Sequence, residues 1–145
     1  MSDRGREIEQ FGVIAWRRAG ACGVEVLLIT SRETRRWVVP RGNAIPGLRP
    51  HESAAQEAFE EAGIRGGVQP DEIGTYRYGK RSRDGRVVPA FVHLYPMLVT
   101  EEAEAWPEHT QRERRWFAPA AAAESVDEPD LAQLIRDFPH SVTKV

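Results

Sequence analysis

The sequence has few of the features that cross-link a chain or anchor it in a membrane. Cys22 is the only cysteine among 145 residues, which excludes an internal disulfide and any metal site built from several cysteines. No stretch approaches the roughly 18 consecutive apolar residues that a membrane helix needs, and the first ten residues lack the apolar centre of a secretory signal. We therefore expect a cytoplasmic protein without a membrane partner.

Histidine is also scarce, and no two of the four histidines have the spacing of a zinc hydrolase motif. Neither sign of charge dominates, because 20 lysines and arginines oppose 22 aspartates and glutamates, for a net charge of -2. With 29% charged and 41% hydrophobic residues, the composition is that of an ordinary globular protein. Residues 1–145 are therefore predicted to form a single domain.

Basic residues are nevertheless concentrated in three stretches. These are Arg32, Arg35, Arg36, Arg41 and Arg49, then Lys80, Arg81, Arg83 and Arg86, then Arg112, Arg114 and Arg115. Such clusters suit a polyanion, because the guanidinium group presents a planar fork to pairs of oxygen atoms. The alternative is that these long side chains simply solvate turns.

The first half of the chain predicts a hairpin, a short strand and a helix. Phe11–Trp16 and Val24–Thr30 are apolar segments separated by a turn that contains Cys22. Trp37–Val39 predicts a short strand that Pro40 ends, and the residues from there to Pro50 predict a loop. A helix is expected over His51–Ala62, with Ala55, Phe59 and Ala62 as its apolar stripe and Gly63 as its C-terminal cap.

The second half predicts another hairpin and a terminal helix. Residues 65–70 are expected to form a loop, and Ile73–Tyr78 and Val87–Val99 two strands joined by a turn. Glu113–Phe117 predicts one more strand and Pro129–Phe138 an amphipathic helix, whereas the alanine run at 120–123 is assigned no element. This order favours an α+β fold in which a mixed β-sheet is packed between helices.

Three carboxylates share one face of the first predicted helix. Glu57, Glu60 and Glu61 are spaced i, i+3 and i+4, on the side opposite the apolar stripe. Like charges at this spacing repel one another, and a hard divalent cation such as Mg²⁺ would relieve the repulsion because it prefers oxygen ligands. A solvated acidic helix face is the alternative.

The segment from Gly42 to Ile64 resembles the Nudix box, whose pattern is G-x5-E-x7-R-E-U-x-E-E-x-G-U, where U is an aliphatic residue. The spacing matches without a gap and includes Glu57-Ala58-Phe59-Glu60-Glu61-Ala62-Gly63-Ile64. The resemblance implies a loop–helix–loop that carries the metal ligands or the general base. These positions are Glu57, Glu60 and Glu61, together with a backbone carbonyl of Gly42 or Arg41.

Two positions depart from the box, since Leu48 replaces its first glutamate and Gln56 replaces its arginine. Their joint absence removes a charge pair without leaving a lone partner, which is milder than losing one member. We therefore expect catalysis to survive in weakened form. The two replacements also support the alternative of a Nudix-fold module that binds a nucleotide or a partner with weak or no catalysis.

Outside the box, Val26–Arg32, Arg36–Gly42 and Arg115–Phe117 resemble the branch that hydrolyses diphosphoinositol polyphosphates and dinucleoside polyphosphates. The resemblance implies water attack on a phosphoanhydride bond, with Mg²⁺ as the cofactor and Mn²⁺ as an alternative. The substrate is then a small phosphorylated molecule and not a nucleic acid. A nucleic-acid-binding protein is a weaker alternative, because its basic clusters would lie beside an acidic helix face that repels a phosphate backbone unless a metal intervenes.

The remaining roles are assigned to side chains outside the helix. Glu108 is the candidate general base, with Glu113 as its alternative. The candidates for binding substrate phosphates are Arg32, Arg36, Arg41 and Lys80. Trp37 and Trp116 are expected either to stack on a base or to belong to the core. The sequence does not predict an oligomeric state.

Overall fold

The computed structural model describes residues 7–21 and 23–142, so that Cys22 lies outside the described residues. Within these residues, eight strands and three helices follow in this order: β1 (Ile8–Ala19), β2 (Gly23–Thr30), β3 (Trp37–Val38), β4 (Arg41–Asn43), α1 (Pro50–Ala62), β5 (Ile64–Val68), β6 (Gly74–Arg81), β7 (Val87–Glu102), β8 (Arg114–Phe117), α2 (Pro119–Ser125) and α3 (Pro129–Val142). The two predicted hairpins, β1–β2 and β6–β7, are both present.

A mixed sheet forms the middle of the fold. β1 and β7 pair in parallel at its centre, and the other pairs are antiparallel. The main path runs β3-β2-β1-β7-β5, while β4 pairs with β1, β6 with β7 and β8 with β2. The long parallel pair extends over residues 8–16 of β1, and side chains from both of its faces pack against the helical layers.

Alternating side chains of the sheet build two separate cores. Val13 and Ala15 of β1 belong to the core beneath α1, whereas Ile14 and Trp16 belong to the core beneath α2 and α3. The sheet therefore lies between one helix on one face and two helices on the other. This arrangement confirms the predicted α+β fold with a mixed sheet packed between helices.

Two short strands occupy stretches that were predicted to be loops. β4 pairs with residues 10–12 of β1. It has only three residues, with glycine at its centre, so its sequence shows no alternation of apolar and polar residues that would predict a strand. β5 pairs with the end of β7, and the backbone of Leu98 approaches Gly66 so closely that a Cβ there would overlap it. Both strands depend on a partner that is distant in sequence.

The helical predictions also need corrections. The buried stripe of α1 is Ala54, Ala58 and Ala62, and not the predicted stripe through Ala55 and Phe59. Small side chains bring the helix close to the sheet, while the Phe59 ring is covered by the Arg65 guanidinium at 3.9 Å.

At the C-terminal end, the alanine run belongs to α2, and α3 continues past its predicted end to Val142. No helix in the described part of the chain is long and apolar enough to cross a membrane.

Candidate active site

Both ends of α1 are fixed by local chemistry. Pro50 stands at the first turn, where its missing N–H costs nothing, and the Glu52 carboxylate accepts a hydrogen bond from the Arg49 N–H at 2.7 Å. At the other end Gly63 adopts a left-handed conformation with φ of 68°, as its predicted capping role requires. These interactions fix both ends of α1 and therefore where the glutamates between them lie.

The three predicted glutamates lie together, at different depths. Glu57 and Glu60 are half-buried, and Glu61 is only 9% exposed. The Arg41 backbone N–H donates to the Glu61 carboxylate at 3.1 Å. A Cβ on Gly42 would lie 2.6 Å from Cγ of Glu57 and closer still to its carboxylate. The short strand β4 thus holds Glu61 and leaves room for Glu57.

The loop between β7 and β8 is tied to the end of α1, where helix carbonyls lack intrahelical partners. The Trp106 indole N–H donates to the Glu61 carbonyl at 3.0 Å, and the Glu108 N–H donates to the Glu60 carbonyl at 3.1 Å. The Arg114 guanidinium donates to the Ala62 carbonyl at 2.8 Å. These bonds bring Glu108 beside the helix carboxylates.

Arg112 occupies the centre of this acidic group. Its Nε donates to the Glu108 carboxylate at 2.7 Å, and its second terminal nitrogen lies 3.5 Å from the Glu61 carboxylate. The remaining terminal nitrogen donates to the Thr30 carbonyl at 3.1 Å. The side chain is 8% exposed, so Arg112 is an internal cation of the site.

Burial and mutual repulsion alter the titration of two helix carboxylates. Burial raises the pKa of Glu57 to about 7, with further contributions from Glu60 and Glu108. Burial also raises the pKa of Glu61 to about 7, although Arg112 and the Arg41 N–H act in the opposite direction. Burial therefore disfavours the charged form of both carboxyl groups more than the surrounding cations favour it.

An open cleft of about 860 Å³ begins at Glu61. All four predicted phosphate-binding residues line it, namely Arg32, Arg36, Arg41 and Lys80. Arg32 and Arg36 are exposed at its rim, where Arg36 pairs with Asp127 at 2.7 Å. Lys80 lies near the end of β6, and its positive charge offsets a small part of the rise in the pKa of Glu57. The fold therefore joins basic stretches that are far apart in sequence.

Arg41 lies deeper than the other cations, against two tyrosines of β6. One of its terminal nitrogens donates to the Tyr76 hydroxyl at 3.0 Å, and the guanidinium lies 3.8 Å from the centre of the Tyr78 ring. Burial alone would lower the pKa of Arg41, but the interactions with Tyr76 and Tyr78 raise it above its ordinary value. A permanent positive charge is thus fixed in the floor of the cleft.

The alternative base and the two tryptophans lie elsewhere. Glu113 is exposed and pairs with Arg115 at 3.3 Å. The Trp37 ring packs against Phe117 with 5.1 Å between ring centres. The Trp116 indole N–H donates to Glu102 at 3.2 Å. None of Glu113, Trp37 and Trp116 is among the described residues that line the cleft.

Sequence reasoning did not identify Gln10 and Tyr78 as residues of the cleft, and it named Arg81 and Arg112 only as members of basic stretches. Gln10 is 3% exposed and accepts a hydrogen bond from the Tyr78 hydroxyl at 2.6 Å. The i, i+4 spacing of Glu108 and Arg112 was a usable signal for an ion pair, whereas Gln10 and Tyr78 give no local signal because sheet pairing brings them together.

The two positions that depart from the box, Leu48 and Gln56, line a different cavity. This cavity of about 480 Å³ lies between α1 and β5 and is also lined by Phe59 and Arg65. Neither Leu48 nor Gln56 lines the cleft at Glu61. The replacements therefore lie in the turn before α1 and on the side of α1 that faces the second cavity, and neither changes the lining of the cleft at Glu61.

A mixed sheet between helices, with three helix glutamates of which Glu61 lines a basic cleft and Glu57 and Glu60 do not, is the architecture of the Nudix class. The NUDIX domain family matches residues 8–138, so the chain belongs to the Nudix hydrolase family. It is 34% identical over 109 residues to Nudix hydrolase 16, mitochondrial, of Arabidopsis thaliana, an alignment that covers 73% of this chain and 60% of that protein.

Two further relatives show how far the likeness reaches. Diphosphoinositol polyphosphate phosphohydrolase 3-beta of Bos taurus is 35% identical over 96 residues, which cover 64% of this chain and 54% of that protein. A C. elegans Ap4A hydrolase in a binary complex has the same fold, with a TM-score of 0.72 at 20% identity over 95% of this chain and 99% of the other. The chain thus spans about half to three fifths of these two curated relatives.

Nudix hydrolases generally use divalent metal cations, and the donor chemistry of this site fits such an ion. Glu57, Glu60 and Glu61 supply the carboxylate oxygens that hard cations prefer, and burial, which raises the pKa of Glu57 and Glu61, disfavours their charged form in the absence of a cation. Within residues 7–21 and 23–142, no three His, Cys, Asp or Glu side chains are already arranged to hold a metal ion. Arg112 is instead the partner of Glu61.

Proposed function

We propose that the chain hydrolyses a phosphoanhydride bond of a small polyphosphate, by attack of water, with Mg²⁺ as its cofactor and Mn²⁺ as a substitute. The observation that carries this proposal is that Glu61, beside Glu57 and Glu60 on α1, lines a cleft whose other charged residues are mainly cations. Glu61 lines the same cleft as Arg32, Arg36, Arg41 and Lys80. Cations along one wall suit the phosphates, and carboxylates at its end suit the metal that phosphoryl transfer uses.

In this proposal Glu57, Glu60 and Glu61 hold the cofactor, and a carbonyl of Gly42 or Arg41 completes the set. The bound cation supplies Lewis-acid stabilisation of charge on the phosphate oxygens and makes water a better nucleophile. Glu108 is the general base, because it is half-buried beside Glu57 and raises the pKa of that residue. Glu113 is less suitable, since it is exposed and its carboxylate pairs with the exposed Arg115 and not with a residue beside the helix glutamates.

The lining of the cleft favours a substrate with many phosphates. Six of the described lining residues are cationic and two are acidic. Tyr78 is the one aromatic residue among them, and Arg41 covers a face of its ring at 3.8 Å. A nucleobase would therefore find little free aromatic surface on which to stack. Of the two favoured classes, we propose diphosphoinositol polyphosphates ahead of dinucleoside polyphosphates.

A substrate panel tests this proposal. Phosphate release would be measured on inositol pyrophosphates, dinucleoside polyphosphates, nucleoside triphosphates and nucleotide sugars, with Mg²⁺, with Mn²⁺ and with a metal chelator. The expected result is metal-dependent turnover that is fastest on an inositol pyrophosphate. Faster turnover of a dinucleoside polyphosphate would overturn the ranking of substrates and keep the reaction.

The second candidate, a binding module, would be distinguished in the same panel. Leu48 and Gln56 support it only as departures from the box, since both lie outside the cleft lining. A folded protein that binds an inositol pyrophosphate in the presence of chelator, and releases no phosphate under any condition, would replace hydrolysis with binding. In that case the cations of the cleft would bind the phosphates of the ligand, and the carboxylates would have no part in a reaction.

A further inference from the structure

The three guanidinium nitrogens of Arg112 are all engaged by groups of the chain. They contact Glu108 at 2.7 Å, Thr30 at 3.1 Å and Glu61 at 3.5 Å. The side chain is 8% exposed, although it forms part of the cleft wall. These contacts turn all three nitrogens toward groups of the chain itself, in contrast to the exposed Arg32 at the rim.

Arg112 joins parts of the molecule that are far apart in sequence. Thr30 ends β2, Glu61 lies in the last turn of α1, and Glu108 belongs to the loop before β8. The Thr30 hydroxyl also accepts a hydrogen bond from the Glu113 N–H at 2.9 Å, which fixes the residue next to Arg112. The guanidinium is thus anchored to the sheet on one side and presents two nitrogens to carboxylates on the other.

We propose that Arg112 is a positioning residue, which aims the carboxylates of Glu61 and Glu108 and holds down the affinity of the site for its divalent cation. The planar fork of arginine fixes the directions of both carboxylates at once. Its positive charge neutralises part of the charge that a divalent cation would otherwise meet. This inference rests on the proposed function, because Glu61 and Glu108 have their roles there.

Removal of the guanidinium should have opposite effects on metal binding and on turnover. In Arg112→Met, Mg²⁺ should bind about three- to tenfold more tightly, because a competing positive charge has gone. The value of kcat should fall roughly 100-fold, because carboxylates that have lost their anchor are misplaced by about 1 Å. KM should change by less than about threefold, because Arg112 in this proposal acts through the two carboxylates and not on the substrate.

The experiment compares three variants with the unmodified full chain. Mg²⁺ affinity is measured by calorimetry in the absence of substrate. Tm is measured once in chelator and once in Mg²⁺. The values of kcat and KM are measured on the best substrate of the panel. Arg112→Met should lower Tm in chelator and recover part of the loss in Mg²⁺, because the buried Glu61 and the half-buried Glu108 both lose their partner. Arg112→Lys keeps the charge without the fork, so its Mg²⁺ affinity should stay near that of the unmodified chain while kcat falls roughly tenfold.

Arg114→Met is the matched control. Arg114 is also largely buried and donates to the carbonyls of Ala62 and Ala103, but no contact joins it to Glu61 or Glu108. Its loss should lower Tm without tightening Mg²⁺ binding. Equal tightening in both methionine variants would overturn the inference, because the effect would then follow from general loosening of the fold.

Other outcomes also decide against a positioning role. A raised KM with unchanged kcat in Arg112→Met would make Arg112 a substrate-binding residue. Weaker or unchanged Mg²⁺ binding would remove the counter-charge role, and full kcat in Arg112→Lys would remove the role of the fork. If the unmodified chain hydrolyses nothing, the proposed function fails, while the Mg²⁺ affinities still test the inference.

Discussion

Gly42→Ala should abolish most activity and leave the fold intact. The added Cβ would lie 2.6 Å from Cγ of Glu57, whereas ordinary carbon contacts lie at about 3.5 Å or more. The Glu57 side chain must therefore move by roughly 1 Å, and a displacement of that size in a catalytic constellation costs about 100-fold in rate. We expect kcat to fall by about that factor.

The stability of this variant should barely change. The φ angle of Gly42 is not among the positive values of the described glycines, so alanine can adopt the backbone conformation. The group that must yield is the far end of a flexible glutamate and not the backbone. A gain of about 0.4–1 kcal/mol from a less flexible unfolded chain offsets part of the cost. The Tm should therefore stay within about 4 °C.

Turnover at saturating Mg²⁺ and thermal unfolding by circular dichroism are the assays for Gly42→Ala. Gly67→Ala is the matched control, because a Cβ at Gly67 meets nothing within 4 Å, and it should keep both activity and Tm. If Gly42→Ala retained more than about a third of the turnover of the unmodified chain, the proposed place of Glu57 would be refuted. A large fall in Tm would refute the reasoning that the flexible Glu57 side chain can move away from the added Cβ at little cost in stability.

Two further predictions concern charged groups away from the helix carboxylates. Burial works against protonation of His93, but its hydrogen bonds to Glu72 and Glu9 outweigh this and raise its pKa above 6.5. The protonated ring therefore stabilises the fold fully below about pH 6.5, and this contribution is lost as the pH rises through the raised pKa of the folded state. Urea unfolding should show that His93→Gln costs about 1 kcal/mol or less at pH 6 and still less at pH 8.5; a cost that grows with pH would contradict this. Arg32→Ala should raise KM for the best substrate roughly tenfold with little change in kcat, since a cation at the rim contributes to binding alone. Steady-state kinetics that show a lower kcat at unchanged KM would exclude this role.

The helix and its carboxylates were predictable because their signals are local. The spacing of Glu57, Glu60 and Glu61 and the capping glycine all lie within one stretch of chain, and the structure places the three side chains together. The apolar stripe of α1 was predicted wrongly because Phe59 outweighed Ala54 and Ala58 in a hydrophobic pattern. In the molecule, close packing against the sheet selects the small residues.

The surroundings of the site depend on contacts that no local pattern encodes. β4 exists because residues 10–12 of β1 pair with it, and that pairing brings the Arg41 N–H to Glu61. Arg112 appeared in the sequence as one member of a basic stretch, and only its distances to Glu61 and Glu108 show it as an internal cation. Such relationships follow from topology and not from composition or spacing.

The most direct test of the central claim is the turnover number of Glu61→Gln, at saturating Mg²⁺, on the substrate that the unmodified chain hydrolyses fastest. Glutamine keeps the size of the side chain and an oxygen that can accept from the Arg41 N–H, but it removes the negative charge. The account predicts a folded variant whose kcat is lower by at least about 100-fold. A folded Glu61→Gln variant with kcat within about threefold of the unmodified chain would contradict the claim that this carboxylate belongs to the catalytic centre.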